Sequence, residues 1–200
     1  SQHGKSELAT RRLSAFLIGQ NPDLRIAIAS YSDTFVQKFN RDIQRIIDDA
    51  KYNELFPETT LAGSRFADAG SFGNYARNYH EFEIVRHVGS IKTLGRGGAL
   101  TGSPVDIGII DDLYKDRAEA KSMTISQATW EWYNDVFLTR LHNNSQQLIM
   151  NTRWDQNDLA GRLLQQEGSE WVVIKLPAIK EKDITDYDPR REGEVLWETR

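Results

Sequence analysis

Short apolar runs alternate with amphipathic segments along this chain, and the alternation restricts the possible folds more than any other feature. Four runs have the length and composition of strands: residues 24–29, 105–110, 147–150 and 171–174. Residues 82–93 alternate as a hairpin or two short strands would. Strands separated by helices at this spacing form a mostly parallel sheet with helices on both faces. The sequence therefore predicts an α/β fold.

Two predicted helices are recognised by their apolar faces. Ser32 or Asp33 can cap the first, and its face contains Phe35, Phe39, Ile43, Ile46 and Ile47. The second follows Asp116, and its face contains Trp130, Tyr133, Phe137 and Leu141. Aromatic side chains at helical spacing indicate core packing, with a platform for stacking bases as the alternative. We expect both faces to be buried.

The first motif with chemical meaning is Gly4-Lys5-Ser6, which directly precedes a helix-like run. It matches the second half of the phosphate-binding loop Gly-x-x-x-x-Gly-Lys-Ser/Thr, in which the Lys contacts phosphate and the hydroxyl binds Mg²⁺. The first Gly of that loop, and the strand leading into it, would lie before residue 1. A solvated helix N-terminus is the alternative interpretation of these three common residues.

A pair of carboxylates, Asp111 and Asp112, follows the apolar run of residues 105–110. A buried strand ending in two carboxylates fits a Walker B element, whose first carboxylate holds Mg²⁺ and whose second polarises the attacking water. The alternative is that the two residues simply begin a loop. In an α/β chain that also carries Gly4-Lys5-Ser6, the combination favours an ATP and Mg²⁺ site.

Two further segments contribute candidates for contact with the γ-phosphate. Asn151 and Thr152 follow a predicted strand, where polar groups can sense whether that phosphate is present; a strand-end turn with a helix cap is an equal alternative. Arg96 lies in a glycine-rich stretch that we expect to be exposed. A guanidinium there can reach the γ-phosphate of its own or an adjacent subunit, and a solvated loop Arg is the alternative.

Composition argues against several other functions. The chain has no Cys, which excludes disulfides and thiolate metal sites within it. Its four His residues are not spaced as metal ligands, so a structural zinc site is not expected. A net charge of −4 argues against a broad nucleic-acid-binding face. No apolar run reaches the length of a membrane span, so we expect no membrane contact.

With these motifs in this order, the chain resembles the large terminase subunit of tailed double-stranded DNA phages. The resemblance rests on matching segments spread over nearly the whole chain: residues 4–8, 28–32, 106–112, 152–154, 158–162, 176–178 and 193–197. Together these segments are far more specific than any one motif. One departure is Asp112, because the family usually has Glu as its catalytic carboxylate.

The resemblance implies a P-loop NTPase domain of the ASCE, RecA-like type over residues 1–180, cut within its Walker A loop so that the first strand is truncated. Residues 181–200 would begin a linker towards an absent RNase H-like nuclease domain. The site residues it implies are Gly4, Lys5, Ser6, Asn151 and Thr152 for ATP, Ser6 and Asp111 for Mg²⁺, Asp112 as catalytic base and Arg96 as arginine finger.

The implied function is that of an ATP hydrolase, the motor subunit that packages double-stranded DNA into the procapsid. The implied partners are double-stranded DNA, the portal protein, the small terminase subunit and further copies in a homo-oligomeric ring. The implied location is the host cytoplasm, at the procapsid during packaging. Endonuclease activity would belong to the full-length protein and not to these 200 residues.

Two alternatives to the packaging motor remain open. A helicase or translocase of another P-loop family would carry a second RecA-like domain where a terminase carries its nuclease. A non-catalytic assembly scaffold would lack tight, Mg²⁺-dependent ATP binding.

Overall fold

The structure is a computed structural model that describes residues 4–68, 71, 73–100, 102, 104–181 and 188–196. The chain divides into two units, Ser1–Arg162 and Leu163–Arg200. All the predicted site residues lie in the first unit. Among the described helices, none combines the length and the apolarity that a membrane span requires.

The first unit alternates helices and strands in the following order: a π-helical segment Glu7–Arg12, α1 Leu13–Gln20, β1 Arg25–Ser30, α2 Asp33–Ile47, α3 Ala50–Leu55, β2 Glu81–Glu83, β3 Ser90–Gly95, β4 Val105–Asp111, α4 Arg117–Lys121, α5 Met123–Trp132, a second π-helical segment Tyr133–Phe137, a 3₁₀ turn Leu138–Arg140 and β5 Leu141–Met150. Helix α6, Leu159–Glu167, begins in the first unit and ends in the second, where a 3₁₀ turn Gly168–Glu170 follows.

The five strands form one sheet in the order β2-β3-β1-β4-β5. β1 pairs in parallel with β3 and β4, and β4 pairs in parallel with β5. Only β2 is antiparallel, at the edge beside β3. The α/β fold with a mostly parallel sheet is therefore confirmed, as are the two short strands predicted within residues 82–93.

Helices cover both faces of the sheet, as the alternation predicts. On one face, Ile28 of β1 and Ile109 of β4 join the core cluster that contains Ile18 of α1 and Phe39 of α2. Neighbouring residues of a strand point to opposite faces, so Gly108 belongs to the other face. There, a Cβ at Gly108 would lie 2.9 Å from the ring of Phe137. The close approach of the helical segment requires Gly at this position.

Helix α2 has the cap and the apolar face that the sequence indicates. The Ser32 hydroxyl accepts a hydrogen bond from the backbone N–H of Phe35 at 3.2 Å, so Ser32 and not Asp33 is the cap. Phe39, Ile43 and Ile47 are buried on this helix. Phe35 and Ile46 are partly buried and pack against the same core.

The long helix predicted after Asp116 is divided into shorter pieces. Ser122 ends α4 and caps α5, because its hydroxyl accepts from the N–H of Ile125. Tyr133 and Phe137 are buried as predicted, with 1% and 0% exposure, and Trp130 is half-buried. The assignment of Leu141 to the helix is wrong, because the 3₁₀ turn ends at Arg140 and Leu141 begins β5.

The strand predicted at residues 171–174 is also wrong. No strand within the described residues pairs with this backbone, and Val172 and Ile174 are 73% and 61% exposed. An apolar run becomes a strand only where a neighbouring backbone satisfies its N–H and C=O groups. Composition alone cannot supply that neighbour.

The second unit contains a short antiparallel pairing of residues 178–180 with residues 193–196. Lys180 N–H donates to Glu194 O at 2.8 Å, and Leu196 N–H donates to Ala178 O at 2.8 Å. The side chain of Arg190 donates to the Asp188 carboxylate at 2.7 Å. Part of the segment predicted as a linker is therefore folded back on itself, while the domain boundary at residue 180 stays a prediction.

Candidate functional site

The candidate motifs meet at the carboxyl ends of four parallel strands. Ser30 of β1 lies opposite both Gly95 of β3 and Asp111 of β4, and Asp111 lies opposite Met150 of β5. The loops that begin with Arg96, Asp112 and Asn151 therefore start at one edge of the sheet. Ligand sites of open α/β sheets form at this edge, so these three loops surround one candidate site.

The first helix brings the Gly4-Lys5-Ser6 motif to the same edge. Gly4 has a φ of +77°, in the left-handed region that favours glycine. The Ser6 side chain and the Lys5 ammonium lie close enough to Asp111 to favour the ionised form of its carboxylate and so lower its pKa. Residues more than a hundred positions apart in sequence are thus joined in one site.

Asp111 is the buried centre of this arrangement, with 2% exposure. Its Oδ2 accepts a hydrogen bond from Thr10 Oγ1 at 2.6 Å. Burial raises the pKa of Asp111, and the neighbouring charge of Asp112 adds to the effect. The hydrogen bond from Thr10, the nearby Ser6 hydroxyl and the charge of Lys5 oppose the rise. A bound cation would favour the ionised carboxylate further.

The donor atoms of this site suit Mg²⁺. The hydroxyl of Ser6 and the carboxylate of Asp111 are hard oxygen ligands, and Mg²⁺ usually takes one or two carboxylates together with phosphate oxygens. Within the described ranges, no cluster of three or more His, Cys, Asp or Glu could hold a metal by itself.

Asp112 occupies an unusual backbone conformation directly after β4. Its φ of +49° is in the left-handed region, where a non-glycine residue is uncommon. Hydrogen bonds fix it there: its N–H donates to Met150 O at 2.9 Å, and its carbonyl accepts from Tyr31 N–H at 3.0 Å. Its carboxylate Oδ1 accepts from the Thr152 N–H at 2.9 Å. Asp112 therefore links the ends of β1, β4 and β5.

The two residues predicted as phosphate sensors are placed differently. Thr152 joins the site through its backbone N–H, which contacts Asp112. The half-buried Asn151 lines a small cavity with Tyr114 and Leu159. The structure therefore brings Thr152 into direct contact with Asp112 and places Asn151 at the small cavity.

Arg96 is less exposed than the sequence indicates, because its side chain is only 20% exposed. Its Nη1 donates to the carbonyl of Leu113 at 2.7 Å and to the carboxylate of Glu119 at 2.9 Å. The glycine loop itself is held by Trp132, whose Nε1 donates to Gly98 O at 2.8 Å. Gly97 and Ala99 of the loop are exposed as expected, but Arg96 is not a solvated side chain, and it braces the segment that follows Asp112.

Sequence reasoning missed Thr10, although a signal for it was available. Thr10 follows Ser6 by four positions, so the two hydroxyls share one side of the helix. Its side chain is fully buried, with 0% exposure, and it contacts the carboxylate that the motifs single out. A hydroxyl four residues after Ser6 is the sequence feature that could have indicated Thr10.

The turn after Asn151 is organised by one buried carboxylate, Asp158. Its side chain has 0% exposure and accepts hydrogen bonds from the N–H of Gly161 at 2.9 Å and of Trp154 at 3.2 Å. Arg153 Nε donates to it at 3.2 Å. Asp158 therefore caps α6 and determines the shape of the segment that leads from β5 to this helix.

Replacing Asp158 with Ala is expected to lower the free energy of unfolding by about 3 kcal/mol, because buried N–H groups and a guanidinium lose their acceptor. Chemical denaturation measures this change. Asp155→Ala is a matched control, since Asp155 accepts chiefly from the exposed N–H of Asn157 at 2.9 Å, and it should cost less than about 1 kcal/mol. Equal effects of the two substitutions would contradict the organising role of Asp158.

Comparison with known families agrees with the motif order. The chain matches the family described as terminase large subunit, T4likevirus-type, N-terminal, over residues 1–200. No curated protein sequence matched the chain. Since the family match covers every residue, the chain belongs to the T4-like family of terminase large subunits, in their N-terminal region.

Proposed function

We propose that this chain is the ATPase motor of a viral terminase, which couples ATP hydrolysis to the packaging of double-stranded DNA into the procapsid. The observation that carries the proposal is the contact between the helix that follows Lys5 and Ser6 and the carboxylate at the end of β4, made by the hydrogen bond from Thr10 to Asp111. A phosphate-loop lysine and hydroxyl beside a buried strand-end carboxylate form the core of a P-loop NTPase site. Membership of the terminase family supplies the biological setting.

In the proposed mechanism, the backbone at Gly4 and the ammonium of Lys5 bind the phosphates of ATP. Ser6 and Asp111 would hold Mg²⁺, whose charge would neutralise the charge that develops on the transferred phosphoryl group. Asp112 orients the attacking water and accepts its proton. Its hydrogen bond from Thr152 N–H keeps the carboxylate at the end of β5, where hydrolysis can be communicated to the following turn.

The family resemblance implies the ASCE class of P-loop ATPases, and we include that assignment in the proposal. The strand that ends in Asp111 lies between β1 and β5 and not at an edge of the described sheet. Its neighbours therefore present their own terminal residues on either side of the catalytic carboxylates. In this proposal, Thr152 contributes the backbone N–H that contacts Asp112. Asn151 contributes as a residue that lines the small cavity.

The proposed partners follow from the packaging role. The motor would act as a homo-oligomeric ring on the portal protein, in the host cytoplasm at the procapsid, and would receive DNA with the small terminase subunit. The nuclease that cuts the DNA would lie in another domain of the full-length protein.

Mg²⁺-dependent ATP hydrolysis by the full-length protein tests the proposal. We expect ATP hydrolysis with Mg²⁺ and none with EDTA. When DNA and procapsids are both supplied, we expect the DNA inside procapsids to be protected from nuclease. Unwinding of duplex DNA without procapsids would instead favour a helicase. Failure to bind ATP with Mg²⁺ would favour the scaffold role.

Arg96 is the proposed arginine finger, and mixed rings test whether it acts between subunits. Lys5→Ala subunits should lack hydrolysis but keep Arg96, whereas Arg96→Ala subunits should keep an intact phosphate site. If Arg96 acts in trans, mixing the two variants should restore hydrolysis well above the sum of the separate activities, since an arginine finger contributes roughly 10³-fold or more. Steady-state phosphate release measures this rescue.

The matched control for the mixing experiment is Arg45→Ala. Arg45 is 72% exposed on α2 and forms only a surface ion pair, so its loss should leave hydrolysis unchanged. Absence of rescue in mixtures whose rings assemble normally would contradict action in trans. In that case the role of Arg96 would be the structural one given by its hydrogen bonds to Leu113 O and Glu119.

A further inference from the structure

Thr10 is a buried residue whose hydrogen bond crosses the site and does not stay within its helix. Threonine hydroxyls inside helices usually donate to the carbonyl four residues earlier, as Thr129 does to Ile125 O at 2.7 Å. The Thr10 hydroxyl donates instead to Asp111 Oδ2 at 2.6 Å. Its side chain has 0% exposure. This contact joins the helix after Gly4-Lys5-Ser6 directly to the end of β4.

The hydrogen bond from Thr10 restricts the orientation of the Asp111 carboxylate, which the proposed function assigns as a ligand of Mg²⁺. A carboxylate has two oxygens with about four lone-pair positions, and a short hydrogen bond to one oxygen fixes the rotation of the group. The buried position of Asp111 excludes bulk water as a substitute donor. The Thr10 bond also opposes the rise that burial causes in the pKa of Asp111. Thr10 thus holds the carboxylate in one orientation.

We propose that Thr10 is a positioning residue for metal binding, which orients Asp111 so that this carboxylate and Ser6 bind Mg²⁺ together. The inference rests on the proposed function of the site and adds a residue to it. Groups that hydrogen-bond a metal ligand fix its orientation, and their loss typically costs 10–100-fold in metal affinity. Thr10 would act only through Asp111 and would not touch nucleotide.

Nucleotide binding with and without the metal tests this role without relying on hydrolysis. Calorimetric titration of the full-length protein with ADP, once in Mg²⁺ and once in EDTA, gives the Mg²⁺-dependent gain in affinity. Thr10→Val has nearly the same shape but no hydroxyl. It should reduce this gain about tenfold and leave ADP affinity in EDTA unchanged. Thr10→Ser, which keeps the hydroxyl, should restore the gain.

Thr129→Val is the matched control, because Thr129 is equally buried, with 0% exposure, and its hydroxyl bond stays within its own helix. It should leave the Mg²⁺-dependent gain unchanged. Circular dichroism checks that each variant is folded. If Thr10→Val does not fold, the comparison of Thr10→Ala with Thr10→Ser decides in the same way.

The outcomes separate this inference from the function on which it rests. A wild-type protein without a Mg²⁺-dependent gain would overturn the proposed function and the inference together. A wild-type gain that Thr10→Val and Thr10→Ala both retain would overturn the inference alone. A gain lost in these variants and recovered in Thr10→Ser would establish the positioning role.

Discussion

Replacing Asp111 with Asn is expected to abolish ATP hydrolysis by the full-length protein while leaving its fold at least as stable as the wild type. Asn keeps the shape of the side chain and can still accept the hydrogen bond from Thr10. It loses the negative charge that binds Mg²⁺. Because a catalytic metal supplies several kcal/mol of transition-state stabilisation, we expect turnover to fall by roughly a thousandfold or more.

The stability of this variant follows from the direction of the pKa shift. Burial raises the pKa of Asp111 in the folded state, so between the unfolded and folded pKa values the folded state binds more protons. Wild-type stability therefore falls as the pH rises through that window. The ionised carboxylate is a cost to the fold at neutral pH, and Asn removes it. Thermal melting at pH 7 should show an equal or higher midpoint for the variant.

Asp106→Asn provides a control in the same strand with the opposite expected pattern. Burial acts to raise the pKa of Asp106, but hydrogen bonds from His142 and Arg25 hold it below its ordinary value. Its ionised form therefore contributes stability that is present above the unfolded pKa and lost as the pH falls. Asp106→Asn should lower the melting midpoint at pH 7 and leave hydrolysis unchanged. Retained hydrolysis in Asp111→Asn would contradict the assignment of the metal ligand.

The sequence was sufficient to locate the candidate site because its motifs lie where secondary structure ends. Asp111 and Asp112 end an apolar strand, and the carboxyl ends of parallel strands necessarily meet at one edge. The hydrophobic alternation therefore predicted the sheet, and the positions of the motifs after its strands indicated an ATP and Mg²⁺ site. Ser32 was recognisable for a similar reason, since a cap depends only on the residues next to it.

Contacts between distant residues were not predictable in this way. The bond between Arg96 and Glu119 crosses 23 positions, and nothing in either local sequence indicates it. Residues 171–174 have the composition of a strand but pair with no strand among the described residues. Whether such a run pairs depends on a neighbouring backbone, which its own composition does not reveal. The bond of Thr10 to Asp111 spans 101 positions, and sequence reasoning did not find it.

Replacing Asp112 with Asn is expected to separate the two roles that this residue combines in the structure. The backbone at Asp112 is left-handed, with φ of +49°, and Asn tolerates that conformation as well as Asp does. The Asn side-chain oxygen can also accept the bond from Thr152 N–H, which is 2.9 Å in the wild type. Fold, nucleotide affinity and the link to β5 should therefore be retained.

Hydrolysis should nevertheless fall by about 10²–10⁴-fold in Asp112→Asn, because an amide cannot accept the proton of the attacking water. Single-turnover hydrolysis measures this loss, and calorimetric ADP titration checks that binding is intact. Asp112→Ala is the comparison: it loses the Thr152 bond and a side chain suited to positive φ, so its free energy of unfolding should fall by roughly 1–3 kcal/mol as well. If Asp112→Asn hydrolyses ATP at the wild-type rate while Asp112→Ala is destabilised, Asp112 serves the structure of the strand ends and another group acts as the base.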